Sequence, residues 1–242
     1  MKQNEHQQVA RFYDEVYYRD AKQISPPSYH LVRLANRLGI KPEQKILDVA
    51  CGVGNWMEIA ASKGATISGI DISERAIDIC RQRLPEGEFH VGPAETLPFS
   101  DRQFDLITCL GSLEHFLDQP GALKEMVRVA KPDAKLLILV PNAGFLTYRL
   151  QLYSGTHQQA VRETIRSLEE WRGMFDQAGL EIVDRWKDLH VLNRSWIVRP
   201  PWYLIPLRFA QALALAIWPL DWQYQVYHHC ALNKNTGNCI EQ

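Results

Sequence analysis

Between residues 45 and 140 the sequence alternates short apolar runs with amphipathic stretches that repeat every three or four residues. Apolar runs of about four to eight residues are typical of buried strands, and the periodic stretches are typical of helices that bury one face. The run from Lys135 to Val140 is almost wholly apolar, which predicts a strand covered on both sides. Strands and helices in this order predict an α/β fold with a parallel sheet between two helical layers.

The predicted strands cover residues 46–49, 66–70, 89–91, 104–110, 135–140, 180–186 and 223–232. Two predicted helices precede them, at residues 5–19 and 28–38. At 242 residues the chain is long enough for one α/β domain with insertions. We expect a single domain over residues 1–242, with a helical cap at 1–40, a cofactor-binding core at 41–140, substrate-side insertions at 141–167 and 187–222, and a flexible tail at 233–242.

Composition restricts the classes of partner and the cellular compartment that we expect for this chain. A formal net charge of -1 provides no basic field, so we expect no nucleic-acid partner. Five cysteines without a Cys-x-x-Cys pair indicate reduced thiols, and without a His-x-x-x-His pair or a carboxylate cluster we expect no metal site. The N-terminus is polar and lacks the apolar core of a secretion signal. These features predict a cytoplasmic protein.

The stretch from Lys45 to Trp56 is typical of a strand, a tight Gly-x-Gly loop and the start of a helix. Gly52 and Gly54 permit positive φ and let bare backbone approach a ligand. A nicotinamide or flavin dinucleotide needs a third glycine behind its pyrophosphate, and Met57 stands there instead. S-adenosylmethionine has no pyrophosphate, and an acid at the strand end, Asp48, favours its cationic end.

Asp71 ends the second predicted strand. At that place its carboxylate can accept hydrogen bonds from both hydroxyls of a ribose, which are charge-assisted and therefore strong. A surface acid before the next helix is the alternative interpretation, but it leaves the Gly-x-Gly loop unexplained.

Four motifs in register resemble those of the class I S-adenosylmethionine-dependent methyltransferases, in particular the branch that methylates quinones, sugars and natural products. They are Leu47-Asp48-Val49-Ala50-Cys51-Gly52-Val53-Gly54, Gly69-Ile70-Asp71-Ile72-Ser73, Gly92-Pro93-Ala94-Glu95-Thr96-Leu97-Pro98-Phe99 and Phe104-Asp105-Leu106-Ile107. Any one motif is weak, whereas four in this order are strong, and the resemblance covers about residues 40–186. It implies a Rossmann-like, doubly wound sheet of seven strands, mostly parallel, with a final antiparallel strand.

The resemblance also implies S-adenosylmethionine as cofactor and a set of residues that bind it. Those at its methionine end are Asp48, Ala50, Gly52, Gly54 and Leu110, those at its ribose and adenine are Asp71, Ile72, Ala94 and Glu95, and those that close over it are Tyr17 and Tyr13. A pure packing role for the two tyrosines is equally open. Ala50 stands where many members of the family have glycine.

Methyl transfer from a sulfonium is a direct displacement, for which alignment of the reacting groups supplies much of the acceleration. A general base helps only where the acceptor must lose a proton. His115 follows the fourth predicted strand at the ligand edge and is our candidate for that base, with a structural role as the alternative. Further candidates are His157, His190, His228 and His229, and the last two point to opposite faces of a strand.

The insertions are expected to select the acceptor. Residues 204–220 are apolar nearly all round when wound as a helix, so this run must be buried, paired with a second copy or placed in lipid. It is short for a membrane span. We therefore keep three interpretations of residues 196–220: a lid over an apolar substrate, a peripheral membrane contact, or a homodimer interface.

The sequence thus predicts an S-adenosylmethionine-dependent methyltransferase acting on an oxygen or carbon of a small, apolar or aromatic metabolite. The alternatives are an S-adenosylmethionine-binding protein with other chemistry, and a nicotinamide-dependent oxidoreductase, which Met57 disfavours.

Overall fold

The computed structural model describes residues 2–19, 28–145, 149, 163–192 and 197–233. A seven-stranded sheet forms its centre. The strands are β1 (Lys45–Val49), β2 (Thr66–Asp71), β3 (Glu88–Val91), β4 (Phe104–Leu110), β5 (Ala130–Pro141), β6 (Leu180–Lys187) and β7 (Gln225–Leu232). Their order across the sheet is β3, β2, β1, β4, β5, β7, β6. The pairs among β1 to β5 are parallel, whereas β7 runs antiparallel to both of its neighbours.

The described α-helices connect and flank these strands. They are α1 (Lys2–Phe12), α2 (Tyr29–Leu38), α3 (Asn55–Ser62), α4 (Glu74–Arg83), α5 (Gln119–Val129), α6 (Leu168–Gln177) and α7 (Ile205–Ile217). Short 3-10 turns lie at Leu113–His115, His190–Leu192, Trp202–Leu204 and Leu220–Trp222.

The sheet separates two apolar cores, because neighbouring residues of a strand point to opposite faces. On β1, Leu47 and Val49 belong to the core under α5 and α6, while Ile46 belongs to the core under α2, α3 and α4. Trp171 of α6 is fully buried, and its indole donates a hydrogen bond to the carbonyl of Pro141 at 2.8 Å. Helices thus cover both faces, which confirms the predicted fold class.

Some element bounds differ from the prediction. The first helix ends at Phe12, and Tyr13–Tyr17 form one π-helical turn after it. β5 begins at Ala130 and not at Lys135, because Ala130 already pairs with Phe104, and the register shifts before Lys135 pairs with Leu106. The apolar run predicted at residues 204–220 forms a helix, α7, over Ile205–Ile217.

Several predictions fall on residues outside the described ranges. They concern most of the first insertion, including His157, the start of the run at 196–220, and residues 234–242 of the tail.

Helix α6 starts with a capping box that offers a test of the fold. The Ser167 hydroxyl accepts a hydrogen bond from the Glu170 amide at 3.3 Å, and the Glu170 carboxylate accepts one from the Ser167 amide at 2.8 Å. Ser167→Ala removes the first bond and should lower the free energy of unfolding by about 1 kcal/mol. Urea unfolding followed by circular dichroism measures this, with Ser100→Ala in an exposed turn as control. Equal stabilities of the two variants would contradict the prediction.

Candidate functional site

A cavity opens at the carboxyl edge of the sheet, where the loops after β1, β2, β3 and β4 meet the N-terminal segment. Ligands of open α/β sheets bind at this edge. The residues predicted from the sequence that line it are Tyr13, Ala50, Asp71, Ile72, Ala94, Glu95 and His115. The N-terminal segment adds His6, Val9 and Tyr18. Residues from five separate segments therefore meet at one cavity.

Backbone geometry explains the composition of the loop after β1. Ala50, Gly52 and Gly54 have positive φ values of 62°, 54° and 78°. Glycine adopts such angles freely, whereas for alanine this conformation costs roughly 1–2 kcal/mol of conformational free energy. A Cβ on Gly52 would lie 2.9 Å from the Tyr18 hydroxyl, and one on Gly54 would lie 3.0 Å from a cysteine sulfur. The loop thus forms with alanine at its first position, and its glycines permit close approach.

Asp71 is the buried acceptor at the centre of the site, with 6% of its surface exposed. Its Oδ2 accepts a hydrogen bond from the Gly52 amide at 2.8 Å, and its Oδ1 accepts one from the Ser73 amide at 2.9 Å. Burial raises the pKa of Asp71 to about 6. The carboxylate therefore fixes two loops and keeps lone pairs for hydroxyl donors in the cavity.

Asp48 lies below the loop and does not line the cavity. It is 3% exposed and accepts a hydrogen bond from the Thr108 hydroxyl at 2.5 Å. Burial raises the pKa of Asp48 to about 7, and the nearby charge of Asp71 acts in the same direction. The other predicted residues outside the cavity lining are Gly52, Gly54 and Leu110. Leu110 packs against the core under α2.

Tyr18 reaches the cavity, and the predicted Tyr17 does not. Tyr17 is 52% exposed and is absent from the lining. The Tyr18 amide donates to the carbonyl of Tyr13, five residues back, at 2.8 Å, which closes the π-helical turn. This turn adds one residue to the α-helical spacing, so the side chain that points inward is the next one along the chain. Tyr18, one position after the predicted Tyr17, is therefore the residue that lines the cavity.

Contacts with the start of α4 hold the N-terminal segment beside the cavity. Asp14 accepts hydrogen bonds from the Ser73 hydroxyl at 2.5 Å and from the Arg75 amide at 3.2 Å. The Arg75 guanidinium donates to the carbonyls of Tyr18 and Arg19 at 2.8 and 2.6 Å. The acceptors of these hydrogen bonds thus all belong to the segment that contains Tyr18.

Glu95 and the turn after β4 form the opposite wall. Glu95 accepts a hydrogen bond from the Asp118 amide at 3.0 Å, and its other oxygen lies 3.4 Å from His6 Nε2. Beside His115 lies Glu114, which is 3% exposed and whose pKa is raised to about 8 by burial. Among the described atoms, Oε2 of Glu114 has no hydrogen-bond partner. Glu114 was not predicted as a site residue from the sequence, although it stands next to His115.

The electrostatics of the site favour a cationic ligand. No lysine or arginine is present among the described residues that line the cavity. Asp48 and Asp71 lie around its floor, and the charge of Asp14 adds to the raised pKa of Asp71. A nearby cation would stabilise the ionised form of these buried acids.

Comparison with known proteins agrees with this chemistry. A family model described as a methyltransferase domain matches residues 47–138. A demethylmenaquinone methyltransferase of Bacillus cereus is 30% identical over 174 residues, which make up 60% of this chain and 73% of the relative. The chain belongs to the class I S-adenosylmethionine-dependent methyltransferases.

Solved structures share the fold of this class I methyltransferase. The [4+2]-cyclase SpnF has a TM-score of 0.65 at 20% identity, covering 94% of this chain and 97% of that one. A phosphoethanolamine N-methyltransferase 2 of Haemonchus contortus, in complex with phosphomonomethylethanolamine and S-adenosylhomocysteine, has a TM-score of 0.66 at 18% identity, covering 93% and 59%. At these identities the likeness shows the fold alone.

The chemistry of the residues at this cavity suits the cofactor of the family. A nucleoside needs a buried acceptor for its ribose hydroxyls, and Asp71 is one. The methionine end of the cofactor needs a loop without bulky side chains, and at Gly52 an added Cβ would lie 2.9 Å from the Tyr18 hydroxyl, so the loop keeps glycine there. A positive sulfonium also matches an acidic site whose described lining has no lysine or arginine.

The raised pKa of Asp48 predicts a pH-dependent stability of the methyltransferase. Its value of about 7 in the folded chain lies above the ordinary 3.8, so the stability present below pH 3.8 is lost as the pH rises through 7. Asp48→Asn keeps an acceptor for Thr108 and removes the charge. Its advantage in melting temperature over wild type should therefore grow from pH 4 to pH 8.

Differential scanning fluorimetry of the ligand-free proteins measures this difference. Asp78→Asn, on the exposed face of α4, is the matched control and should show no such trend. If the difference in melting temperature between Asp48→Asn and wild type stays constant with pH, Asp48 is not a buried carboxyl with a raised pKa.

Proposed function

We propose that this chain transfers the methyl group of S-adenosylmethionine to an oxygen or carbon atom of a small, apolar or aromatic metabolite. The observation that carries the proposal is the cavity that brings Ala50, Asp71 and Glu95 to one edge of the sheet. When bound, the cofactor supplies a methyl group activated by its sulfonium. The chain binds the two reactants, aligns them and excludes water.

The proposed roles follow the position of each residue along the cofactor. The residues at the methionine end are Asp48, Ala50, Gly52, Gly54 and Leu110, and those at the ribose and adenine are Asp71, Ile72, Ala94 and Glu95. Tyr18 takes the closing role first expected of Tyr17, since it lines the cavity. His115, which also lines it, is the general base expected from the sequence.

The relatives support an apolar acceptor. The Bacillus cereus relative is named for a demethylmenaquinone, which is a quinone. A nicotinamide cofactor is disfavoured, because Met57 is fully buried in the core under α2 and α3, where a dinucleotide site needs a glycine.

Asp71 provides the test of cofactor binding. Asp71→Ala removes the buried acceptor and should weaken the affinity for S-adenosylhomocysteine at least about tenfold, since charge-assisted hydrogen bonds are lost. Isothermal titration calorimetry measures this, with Asp78→Ala on the exposed face of α4 as control. NADH serves as the rival ligand. If wild type fails to bind S-adenosylhomocysteine at micromolar concentration, the proposed function is wrong.

We also propose that α7 contacts a membrane surface. Only Arg208 and Ala212 of this helix are buried, whereas Leu207, Leu213 and Ile217 are 65%, 51% and 82% exposed. The aromatic residues at its two ends are Trp202, Tyr203, Trp218 and Trp222. Apolar helix faces with aromatic ends are typical of helices that lie at the lipid interface. Among the described residues no helix is long and apolar enough to cross a bilayer.

Flotation with liposomes tests the membrane contact. Replacing Leu207, Leu213 and Ile217 together by serine removes the exposed apolar face and should abolish flotation, while Val183→Ser, an equally exposed apolar site on β6, should not. Loss of a dimer in sedimentation, without any flotation of wild type, would show instead that α7 is an interface between two copies.

A further inference from the structure

A cluster of four ionisable side chains lies outside the cofactor cavity. His30 belongs to the first turn of α2, Asp188 and His190 follow β6, and Tyr227 lies on β7. His30 Nε2 lies 2.8 Å from the Tyr227 hydroxyl and 3.2 Å from Asp188 Oδ1. His190 Nδ1 lies 2.6 Å from Asp188 Oδ2. One carboxylate therefore holds two imidazoles, one on each oxygen.

The cluster has a buried interior and one accessible member. The side chain of Asp188 is 5% exposed, while that of His190 is 48% exposed. The His190 amide also donates to Asp188 Oδ1 at 3.1 Å, so the backbone turn fixes the pair. With Nδ1 on the carboxylate, Nε2 lies on the other side of the imidazole ring. Carboxylates that hold a histidine in this way set its tautomer and prepare the second nitrogen to take a proton.

The sheet register places the cluster on the acceptor side of the proposed cofactor site. Leu110 on β4 pairs with Leu139 on β5, and Leu139 pairs with Tyr227 on β7. All three side chains belong to the core under α2. Adjacent strands lie about 4.8 Å apart, so Tyr227 and Leu110 are separated by roughly 10 Å across the sheet. Tyr227 therefore lies at the same level of the sheet as Leu110, two strands away, on the side of β5 where we propose that the acceptor binds.

The surroundings of the cluster shift the pKa values of its two histidines in opposite directions. The hydrogen bond with Asp188 raises the pKa of His190 above its ordinary value of 6.5. Burial lowers the pKa of His30, and the nearby His190 and Arg33 act in the same direction against Asp188. The other charged side chains on α2 and β6 that border this region are Arg37, Asp184, Arg185 and Lys187. His190 is consequently the member whose proton affinity Asp188 strengthens.

We propose that His190, oriented by Asp188, is the proton acceptor of the transfer reaction, and that the acceptor substrate is methylated through a hydroxyl group, as in a phenol or quinol. This inference rests on the proposed function and names the substrate class and the base for that site. It assigns to His190 the role first expected of His115. Asp188 is then a positioning residue, His30 contacts its second oxygen, and Tyr227 contacts His30.

The proton and the electrons balance without a further reactant. His190 Nε2 takes the proton of the substrate hydroxyl, and the electron pair of that O–H bond stays on the substrate. The substrate oxygen, or a ring carbon conjugated to it, forms the bond to the methyl carbon as the carbon–sulfur bond breaks and its pair remains on sulfur. After attack by a ring carbon, that carbon loses its own proton to water, the ring becomes aromatic again, and the ring oxygen takes a proton back. His190 later releases the proton to water. Because only neutral His190 can act, the rate should rise with pH through the raised pKa of His190.

The first experiment needs no acceptor. Nuclear magnetic resonance of the full chain with ¹³C-labelled histidine follows each imidazole during a pH titration, and His190→Gln assigns the signal. His190 should titrate above 6.5 in wild type and at or below 6.5 in Asp188→Asn. A His190 midpoint that does not respond to Asp188→Asn overturns the proposal.

The second experiment measures initial rates with methyl-tritiated S-adenosylmethionine. The probes are a short-chain demethylmenaquinol and catechol, which carry hydroxyls, and phosphoethanolamine, which carries an amine. His190→Gln should lower kcat for a hydroxyl probe at least about 100-fold, with KM and the affinity for S-adenosylhomocysteine within about twofold. Asp188→Asn should lower kcat and move the pH midpoint of the remaining activity downward.

Two further variants make this second experiment decisive. His90→Gln removes an exposed imidazole that pairs with Glu88 at 2.9 Å, and it should leave kcat unchanged. His115→Gln tests the rival base: a large loss of kcat there, with His190→Gln unaffected, overturns the proposal. Transfer by wild type to phosphoethanolamine alone, or to none of the probes, overturns the hydroxyl assignment. Failure of wild type to bind S-adenosylhomocysteine is a different result and contradicts the proposed function itself.

Discussion

The hydrogen bonds accepted by the buried carboxylate of Asp71 determine the architecture of the cofactor half. They join the amide of Gly52, in the loop after β1, to the amide of Ser73 at the start of α4. A buried acceptor must be satisfied, so the two loops cannot separate without exposing a charge to an apolar surrounding. Asp14 binds the hydroxyl of the same Ser73, which extends the arrangement to the N-terminal segment and Tyr18. The cavity is the space that these three segments enclose.

The proposed acceptor half depends on the antiparallel strand β7. Because β7 lies between β5 and β6, it returns Tyr227 to the level of Leu139, beside a helix that precedes the sheet. His30 and Tyr227 are 197 positions apart in the sequence and are hydrogen-bonded in the fold. The cofactor half combines short loops between consecutive elements with the N-terminal segment, whereas the proposed acceptor half joins residues from the beginning and the end of the chain.

This difference explains what the sequence could predict. The strands from β1 to β4 were predicted closely, because buried apolar runs such as Phe104–Leu110 are bounded by polar turns. Asp71 and Glu95 could be assigned to the ligand edge from the sequence, because Asp71 ends the second predicted strand and Glu95 follows the third. Tyr18 lines the cavity in place of the predicted Tyr17 because a π-helical turn changes the spacing by one residue, and no local sequence pattern indicates such a turn. The pair of Asp188 with His30 was not predictable, since it requires the strand order.

The positive φ of Ala50 has a consequence for the energetics of the chain. An alanine in this conformation costs roughly 1–2 kcal/mol relative to the preferred right-handed region. Hydrogen bonds within the chain, such as that of the Cys51 amide with the Ile70 carbonyl at 3.0 Å, hold the loop in this geometry. Where the strain is the same in the free and the bound protein, it cancels from the binding equilibrium. The strain at Ala50 therefore reduces the margin against unfolding without lowering the affinity for a ligand of the cavity.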